Sequence, residues 1–234
     1  GPTRNAAAIE SSKAFAKRLM AAHGVPTARH VTCAGPADAL DLIRRGAFGL
    51  PVVVKADGLA AGKGVVVAED AGAAEDAVRE MMVDHRFGDA GSQIVIEECL
   101  RGREASFFVL TDGERVLVLP SAEDHKRAFD GDTGPNTGGM GAFSPSPLVT
   151  DEMSRRILAD IVMPTLRGMA MEGVPYRGFL YCGLMLTADG PKVIEFNARL
   201  GDPEAQVVLP RIDEALLPHL LAAASGTLQP GVCR

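Results

Sequence analysis

The stretch "KADGLAAGKGV", residues 55–65, decides how this chain is read. It resembles a phosphate-binding loop yet fits neither familiar pattern. A Walker loop needs four residues between its first glycine and a Gly-Lys pair that is followed by Ser or Thr. Only three residues separate Gly58 from Gly62-Lys63, and Gly64 occupies the place of the metal-binding hydroxyl. The dinucleotide fingerprint fails too, because Gly62 and Gly64 run into Val65-Val66-Val67 without a third glycine. What remains is physical. Val52-Val53-Val54 delivers Lys55 to the end of a buried strand, where a lysine either snorkels to solvent or presents a fixed ammonium to an anion. Between Gly58 and Gly64 every residue except Lys63 is Gly, Ala or Leu, so backbone N–H groups can approach phosphate oxygens closely. The alternative is a plain hairpin between two Val-rich strands. Hairpins rarely spend three glycines and two lysines, so a flap over a polyphosphate is expected.

Outward from that loop, short strands and helices alternate. Residues 9–23 place Phe15, Leu19 and Ala22 at helical spacing, closed by Gly24 and Pro26. Strands are expected over 28–34, 51–56 and 64–69, and helices over 36–45 and 73–83. The next part is strand-rich: 93–100, 104–110 and 115–120, with an Asp112-Gly113 turn signalling a hairpin. A polar stretch follows, 123–146, whose residues 131–141 include five glycines. A loop this long in a compact chain is functional or disordered. A helix over 151–172, strands over 178–187 and 191–198, and two further helical segments complete the chain. A leading helix (1–24), a small lid piece (25–96) and a larger piece (97–234) are the expected divisions.

The chain has 234 residues, is 47% hydrophobic and 23% charged, and carries a net charge of −6. That length buries roughly 70–75% of the unfolded surface. The acidic balance argues against a chain-wide nucleic-acid footprint. No apolar run reaches the ~20 residues of a membrane span, and no signal-peptide core opens the chain. Cys33, Cys99, Cys182 and Cys233 form no CxxC pair. Cys99 and Cys182 sit in apolar runs and read as buried free thiols, which favours a reducing, cytoplasmic setting. Gly1-Pro2 and the closing "QPGVCR" (229–234) read as cuts through a longer protein or as tag remnants.

Three further stretches carry chemistry. In "KVIEFNARLGDPE" (192–204), strand alternation puts Glu195 and Asn197 on one face and Ile194 and Phe196 on the other. Two oxygen ligands about 7 Å apart along a strand suit a hard cation that keeps water and phosphate oxygens. Arg199 beyond them can hold a transferring phosphoryl group. An edge strand with a merely solvated polar face is the even alternative. In "VIEECLRGREAS" (95–106), Glu97 can accept from an amino group and Glu104 from a pair of ribose hydroxyls, although single carboxylates are more often solvated. In 124–143, His125, Lys126 and Arg127 precede the glycine loop and suggest an anion or substrate clamp. His125 has no partner at metal-ligand spacing, so a histidine–metal site is not expected there.

Together these stretches resemble the ATP-grasp superfamily, and within it the phosphoribosylamine–glycine ligase (glycinamide ribonucleotide synthetase) family. The motifs are "SSKAFAK" (11–17), "KADGLAAGKGVVVA" (55–68), "VIEE" (95–98), "DHKR" (124–127), "DGDTGPNTGGMGAFSP" (130–145), "GFLYCGLML" (178–186) and "EFNARLGDPEAQ" (195–206). "DHKR" with "GPNTGGMGA" is specific to the ligase; "EFN" alone indicates the superfamily. The resemblance implies an α+β ATP-grasp fold in which two α+β pieces sandwich ATP. It implies that Lys13 and Lys55 hold α- and β-phosphates under a flap containing Gly62, Lys63 and Gly64. It places Glu97, Glu98, Cys99 and Leu100 around adenine, Glu104 on ribose, and Arg127 and Asn136 near ATP. It gives Glu195 and Asn197 to Mg2+ or Mn2+ and Arg199 to the transferred phosphate. Asp124, Thr137, Gly138 and Asp202 become candidates for glycine or the amine substrate. Arg101 and Arg103 depart from family positions often acidic, and Leu200 from one usually Phe.

The implied reaction joins glycine to 5-phosphoribosylamine through glycyl phosphate, with Lys55 and Arg199 countering anionic charge. Small-molecule substrates, no nucleic-acid or membrane partner, and a monomer are expected. The family also implies domains before and after this segment, so the chain alone would hold only part of the substrate site. Competing readings are another ATP-grasp carboxylate–amine ligase, such as a purine carboxylase, and a Mg-ATP-binding core without turnover. A dinucleotide-dependent oxidoreductase is disfavoured by the missing glycines.

Overall fold

The computed structural model describes residues 1–60, 64–125, 127–130, 133–136 and 141–233. They form two compact units. The smaller comprises Ala8–Arg18 and Thr27–Arg101; the larger comprises Gly1–Ala7, Leu19–Pro26 and Gly102–Arg234.

In the smaller unit the elements are α1 (Ala8–Ser11), α2 (Lys13–Ala22, its last residues belonging to the larger unit), β1 (His30–Cys33), α3 (Pro36–Arg44), β2 (Val52–Ala56), β3 (Val65–Ala68), α4 (Ala71–Val78) and β4 (Ile94–Glu98). The expected helix over 9–23 is interrupted at Ser12, whose hydroxyl accepts from Phe15 N at 3.0 Å and acts as the cap of α2. The helix expected over 73–83 begins earlier, because Asp70 caps it through Ala73 N at 2.8 Å, and it ends in a wider π-type turn at Arg79–Val83. The sheet has the order β1-β4-β2-β3, antiparallel throughout. Val52, Val54 and Ala56 of β2 and Ile94 and Ile96 of β4 pack into a core with Ala39, Ile43, Ala74, Ala77 and Val78 of the helices. Period-two alternation therefore sends Val53, Lys55, Val95 and Glu97 to the opposite face. In that register Val53 opposes Glu97, which makes Lys55 its diagonal neighbour, within reach of long side chains.

The larger unit contains β5 (Arg103–Thr111), β6 (Val116–Val118), β7 (Glu123–Asp124), β8 (Arg127–Phe129), β9 (Thr133–Asn136), β10 (Ala142–Phe143), α5 (Asp151–Ile157), α6 (Met163–Met171), β11 (Gly178–Thr187), β12 (Gly190–Asn197), α7 (Glu204–Val208), α8 (Leu216–Ser225) and β13 (Gly231–Val232). Its main sheet runs β12-β11-β5-β6-β13, antiparallel except for the parallel β6/β13 pair. The β5–β6 turn passes through Gly113 at φ +106°, a conformation open to glycine, as the Asp-Gly signal predicted. The helix predicted over 151–172 is two helices joined by a π-type turn, Leu158–Val162. Pro164 supplies no N–H to Asp160 and its ring crowds that carbonyl, which accounts for the widening. The polar stretch 123–146 is not all loop: β7 pairs with β10, and β8 with β9, which satisfies backbone groups along it.

β12 departs from simple alternation. Gly183 of β11 faces Glu195, but the next residue, Leu184, faces Val193. Ile194 is thus a bulged extra residue. The bulge turns Val193 and Phe196 to the core, with Ile194 only partly buried, instead of pairing Ile194 with Phe196 as expected. No helix among the described residues is long and apolar enough to cross a membrane. All four cysteines are free, and Cys99, just past the end of β4, is only partly buried rather than buried as expected.

The partition drawn from the sequence at 24/25 and 96/97 concerns moving parts and remains a proposal. The compact units themselves divide within α2 and after Arg101. β4, paired on both sides with β1 and β2, carries Glu97 and Glu98 into the smaller unit.

Candidate functional site

In the smaller unit a buried charge cluster forms behind the glycine loop. Lys55 reaches Glu97 Oε1 and Lys17 of α2 reaches Glu97 Oε2, all three residues being 4% exposed or less. Lys17 forms an ion pair with the carboxylate, and its ammonium also donates to Thr27 Oγ1 at 2.8 Å. Burial pushes the Lys17 pKa below its ordinary value; Glu97 opposes that shift and Lys55 adds to it. Two lysines share one buried carboxylate, so the cluster has one more cationic side chain than anionic ones in a dry place. That arrangement suits an anion.

Lys13, one turn earlier on α2, donates to Gly58 O at 3.2 Å. The start of the loop is held by Asp57, which accepts from Ser12 Oγ at 3.0 Å and from Ala14 N at 2.6 Å. Asp57 therefore ties the end of β2 to the first turn of α2 and brings Lys13, Lys17 and Lys55 into one unit. Removing this carboxylate in Asp57→Ala is expected to cost about 1–2 kcal/mol, the range of a lost helix cap. Urea denaturation checks it; an unchanged midpoint would show that Asp57 does not hold the loop. Gly64 is buried with its would-be Cβ 2.6 Å from that of Ala60. Gly62 and Lys63 lie outside the described residues.

The adenine candidates behave differently from one another. Both oxygens of Glu97 face lysines, so its carboxylate is engaged in positioning them. Glu98 accepts from Arg29 Nε at 2.7 Å and Arg29 N at 3.0 Å. Cys99 and Leu100 follow the strand, half-buried. A pocket of about 330 Å3 lined by Leu42, Phe48, Leu50 and Ile96 is apolar and includes none of the candidates.

The larger unit holds the other group. Glu195 is exposed and Asn197 half-buried on β12; Asn197 Nδ2 donates to Glu195 Oε1 at 3.4 Å, and Arg199 Nη2 donates to Asn197 Oδ1 at 3.3 Å. Glu195 and Asn197 therefore share one face, as strand alternation predicts, and Arg199 reaches back to them. Hard oxygen donors on a solvent-facing strand, with neither His nor Cys among them, fit Mg2+ or Mn2+ better than zinc. Glu104 is exposed at the start of β5. Asp124 sits on β7 opposite Ala142, and Asp202 accepts from Gln206 Nε2 at 2.7 Å. Arg103, one of the family departures, donates to Glu123 at 3.1 Å. Arg127 and Asn136 oppose each other in β8 and β9, with their side chains outside the described atoms. Thr137 and Gly138 lie outside the described residues.

Sequence reasoning missed Lys17, and it missed a buried set behind β12. Ser106 donates to Glu204 Oε1 at 3.1 Å and lies 3.2 Å from the Tyr181 hydroxyl. Burial, then the Glu204 charge, raises the Tyr181 pKa far above its usual value. A Cβ on Gly201 would stand 2.2 Å from Glu204 Oε2, so a larger residue there would displace that carboxylate. The signal for Lys17 was its place four residues after Lys13 on a helix.

A pH dependence follows from Lys17. Its folded pKa is lowered, so between that value and 10.5 the unfolded chain binds the extra proton and stability rises with pH. Relative to Lys17→Met, the wild type is expected to gain stability on moving upward through that window. Melting curves of both proteins check it; parallel curves at every pH would overturn it.

The α+β organisation is that of the ATP-grasp class. Residues 11–205 match the family model for the phosphoribosylglycinamide synthetase ATP-grasp (A) domain, and the chain belongs to that family. It is 55% identical over 229 residues to a phosphoribosylamine–glycine ligase of Xanthomonas campestris pv. campestris, covering 97% of this chain and 53% of that one. The crystal structure of phosphoribosylamine–glycine ligase from Thermotoga maritima superposes with a TM-score of 0.90 at 35% identity, covering 100% of this chain and 59% of that one. A biotin carboxylase from Campylobacter jejuni shares the fold, with a TM-score of 0.77 at 20% identity over 98% of this chain and 49% of its own. The chain spans about half the length of the curated relatives it matches.

Proposed function

We propose that this chain is the ATP-handling core of a phosphoribosylamine–glycine ligase. Supporting this most directly is the 55% identity that extends over 97% of the chain. Glycine's carboxylate attacks the γ-phosphorus of ATP, ADP leaves, and glycyl phosphate forms. The amine of 5-phosphoribosylamine then attacks the acyl carbon, loses a proton and expels phosphate, giving glycinamide ribonucleotide.

The first step sets anion against anion, so fixed cations decide its rate. Lys55, held by Glu97, and Lys13 bind the α- and β-phosphates. Arg199 withdraws charge from the transferred phosphoryl group. A divalent cation, Mg2+ or Mn2+, held by Glu195 and Asn197, would supply neutralisation at phosphate oxygens. The flap with Gly62, Lys63 and Gly64 covers the phosphates and excludes water that would hydrolyse the acyl phosphate. Glu98, Cys99 and Leu100 border adenine, and Glu104 takes the ribose hydroxyls. Arg127 and Asn136 lie near ATP, while Asp124, Thr137, Gly138 and Asp202 meet glycine or the amine. The lid division at 25–96, a monomeric state and a cytoplasmic setting belong to the same proposal.

The test is ADP formation with glycine, with and without phosphoribosylamine, on this chain and on one extended to the relatives' length. Glycine-dependent ADP release by the longer chain is expected; bicarbonate-dependent release in its place would move the assignment to a carboxylase. The half-length coverage favours a second reading for the isolated chain, nucleotide binding without turnover. Bound ATP with no ADP from this chain, alongside an active longer one, would support it.

A further inference from the structure

Away from the nucleotide residues, one end of the larger unit gathers three donors of a different chemical kind. Glu214 lies in the turn before α8, His219 in that helix's first half, and Cys233 directly after β13. One oxygen, one ring nitrogen and the Sγ all lie within 4.8 Å of one another. His219 Nε2 and Glu214 Oε2 are 2.9 Å apart. Cys233 is 3% exposed and packed among Leu117, Leu119 and Leu228, and its backbone N donates to Val118 O at 2.8 Å. A buried thiol thus lies beside a half-buried imidazole and an exposed carboxylate.

We propose that Glu214, His219 and Cys233 form a binding site for a borderline-soft divalent cation of the zinc class. Thiolate, imidazole and carboxylate are the zinc donor set, and a water completes four-coordination. Two anionic donors and a neutral imidazole balance a dication. Bond lengths of 2.0–2.3 Å put tetrahedral donors about 3.3–3.8 Å apart, so the His219–Glu214 pair, 2.9 Å apart, must open slightly to admit an ion, which the exposed Glu214 side chain can do by rotating. The site differs in kind from the Glu195/Asn197 pair: a sulfur ligand discriminates against Mg2+. A bound ion would pin the end of β13 to α8. Its loading releases the thiol proton, so affinity falls as pH drops.

Titration of this chain with Co2+, in excess Mg2+, tests the proposal. One equivalent is expected to give tetrahedral d–d absorption with a near-ultraviolet sulfur-to-cobalt band, both removed by Zn2+. Cys233→Ser should lose the sulfur band, whereas Cys99→Ser should keep it. Glu214→Gln and His219→Ala, both at solvent-facing positions, should weaken Co2+ binding at least tenfold. Absence of the sulfur band at stoichiometric Co2+, or its persistence in Cys233→Ser, would overturn the assignment. Were Cys233→Ser not to fold, unchanged affinity in His219→Ala would do so on its own.

Discussion

Glu97→Gln is expected to lose about 3–5 kcal/mol of folding stability, because it leaves two buried ammonium groups without their carboxylate. A chain of this size shifts its melting temperature about 2–4 °C per kcal/mol, so a fall on the order of 10 °C is expected. The amide is isosteric and the position is 4% exposed, so neither a cavity nor lost surface contact confuses the reading. A carboxylate aimed at solvent or at a nucleotide would change stability by less than about 0.5 kcal/mol. Adding Lys17→Met removes one of the stranded charges and should recover part of the loss, a coupling above about 1 kcal/mol. Thermal and urea unfolding of the single and double variants decide it; a strictly additive pair would refute the shared-carboxylate arrangement.

Glu195→Ala makes the opposite prediction. Glu195 is exposed on an edge strand, so stability should stay within about 0.5 kcal/mol of wild type. If the proposed function holds, ligation by a chain extended to the relatives' length should nevertheless fall at least ~10²-fold, the scale of losing one strong electrostatic contribution to phosphoryl transfer. Raising Mg2+ should restore part of the rate if the loss is one of cation affinity. Full turnover by the variant would remove Glu195 from the reaction.

Much of the fold was legible because its signals are local. Val52-Val53-Val54 and Val65-Val66-Val67 announced strands, and Asp112-Gly113 announced its hairpin. The oxygen face of Glu195 and Asn197 followed from period two alone. What escaped depended on register and distance. That Glu97 faces Lys55 comes from the β2/β4 pairing, which joins residues about forty apart. Lys17 joins them only because Asp57 anchors α2, a contact no periodicity encodes. Ile194 looked like an alternating core residue; only the mismatch between β11 and β12 reveals the bulge. The Ser106–Glu204 contact spans 98 positions and had no sequence signal beyond Gly201.

The bulge at Ile194 has a bearing on self-association. β12 is the outer strand of its sheet, and a long regular outer strand is a template onto which a second molecule can add its own. An extra residue breaks the even spacing of the strand's backbone N–H and C=O groups and increases the local twist, and Val193 N is taken up by Pro26 O at 2.8 Å. Lys192, Glu195 and Arg199 add charge along the same margin. The irregularity that presents the Glu195 carboxylate to solvent thereby also guards the protein against edge-to-edge polymerisation.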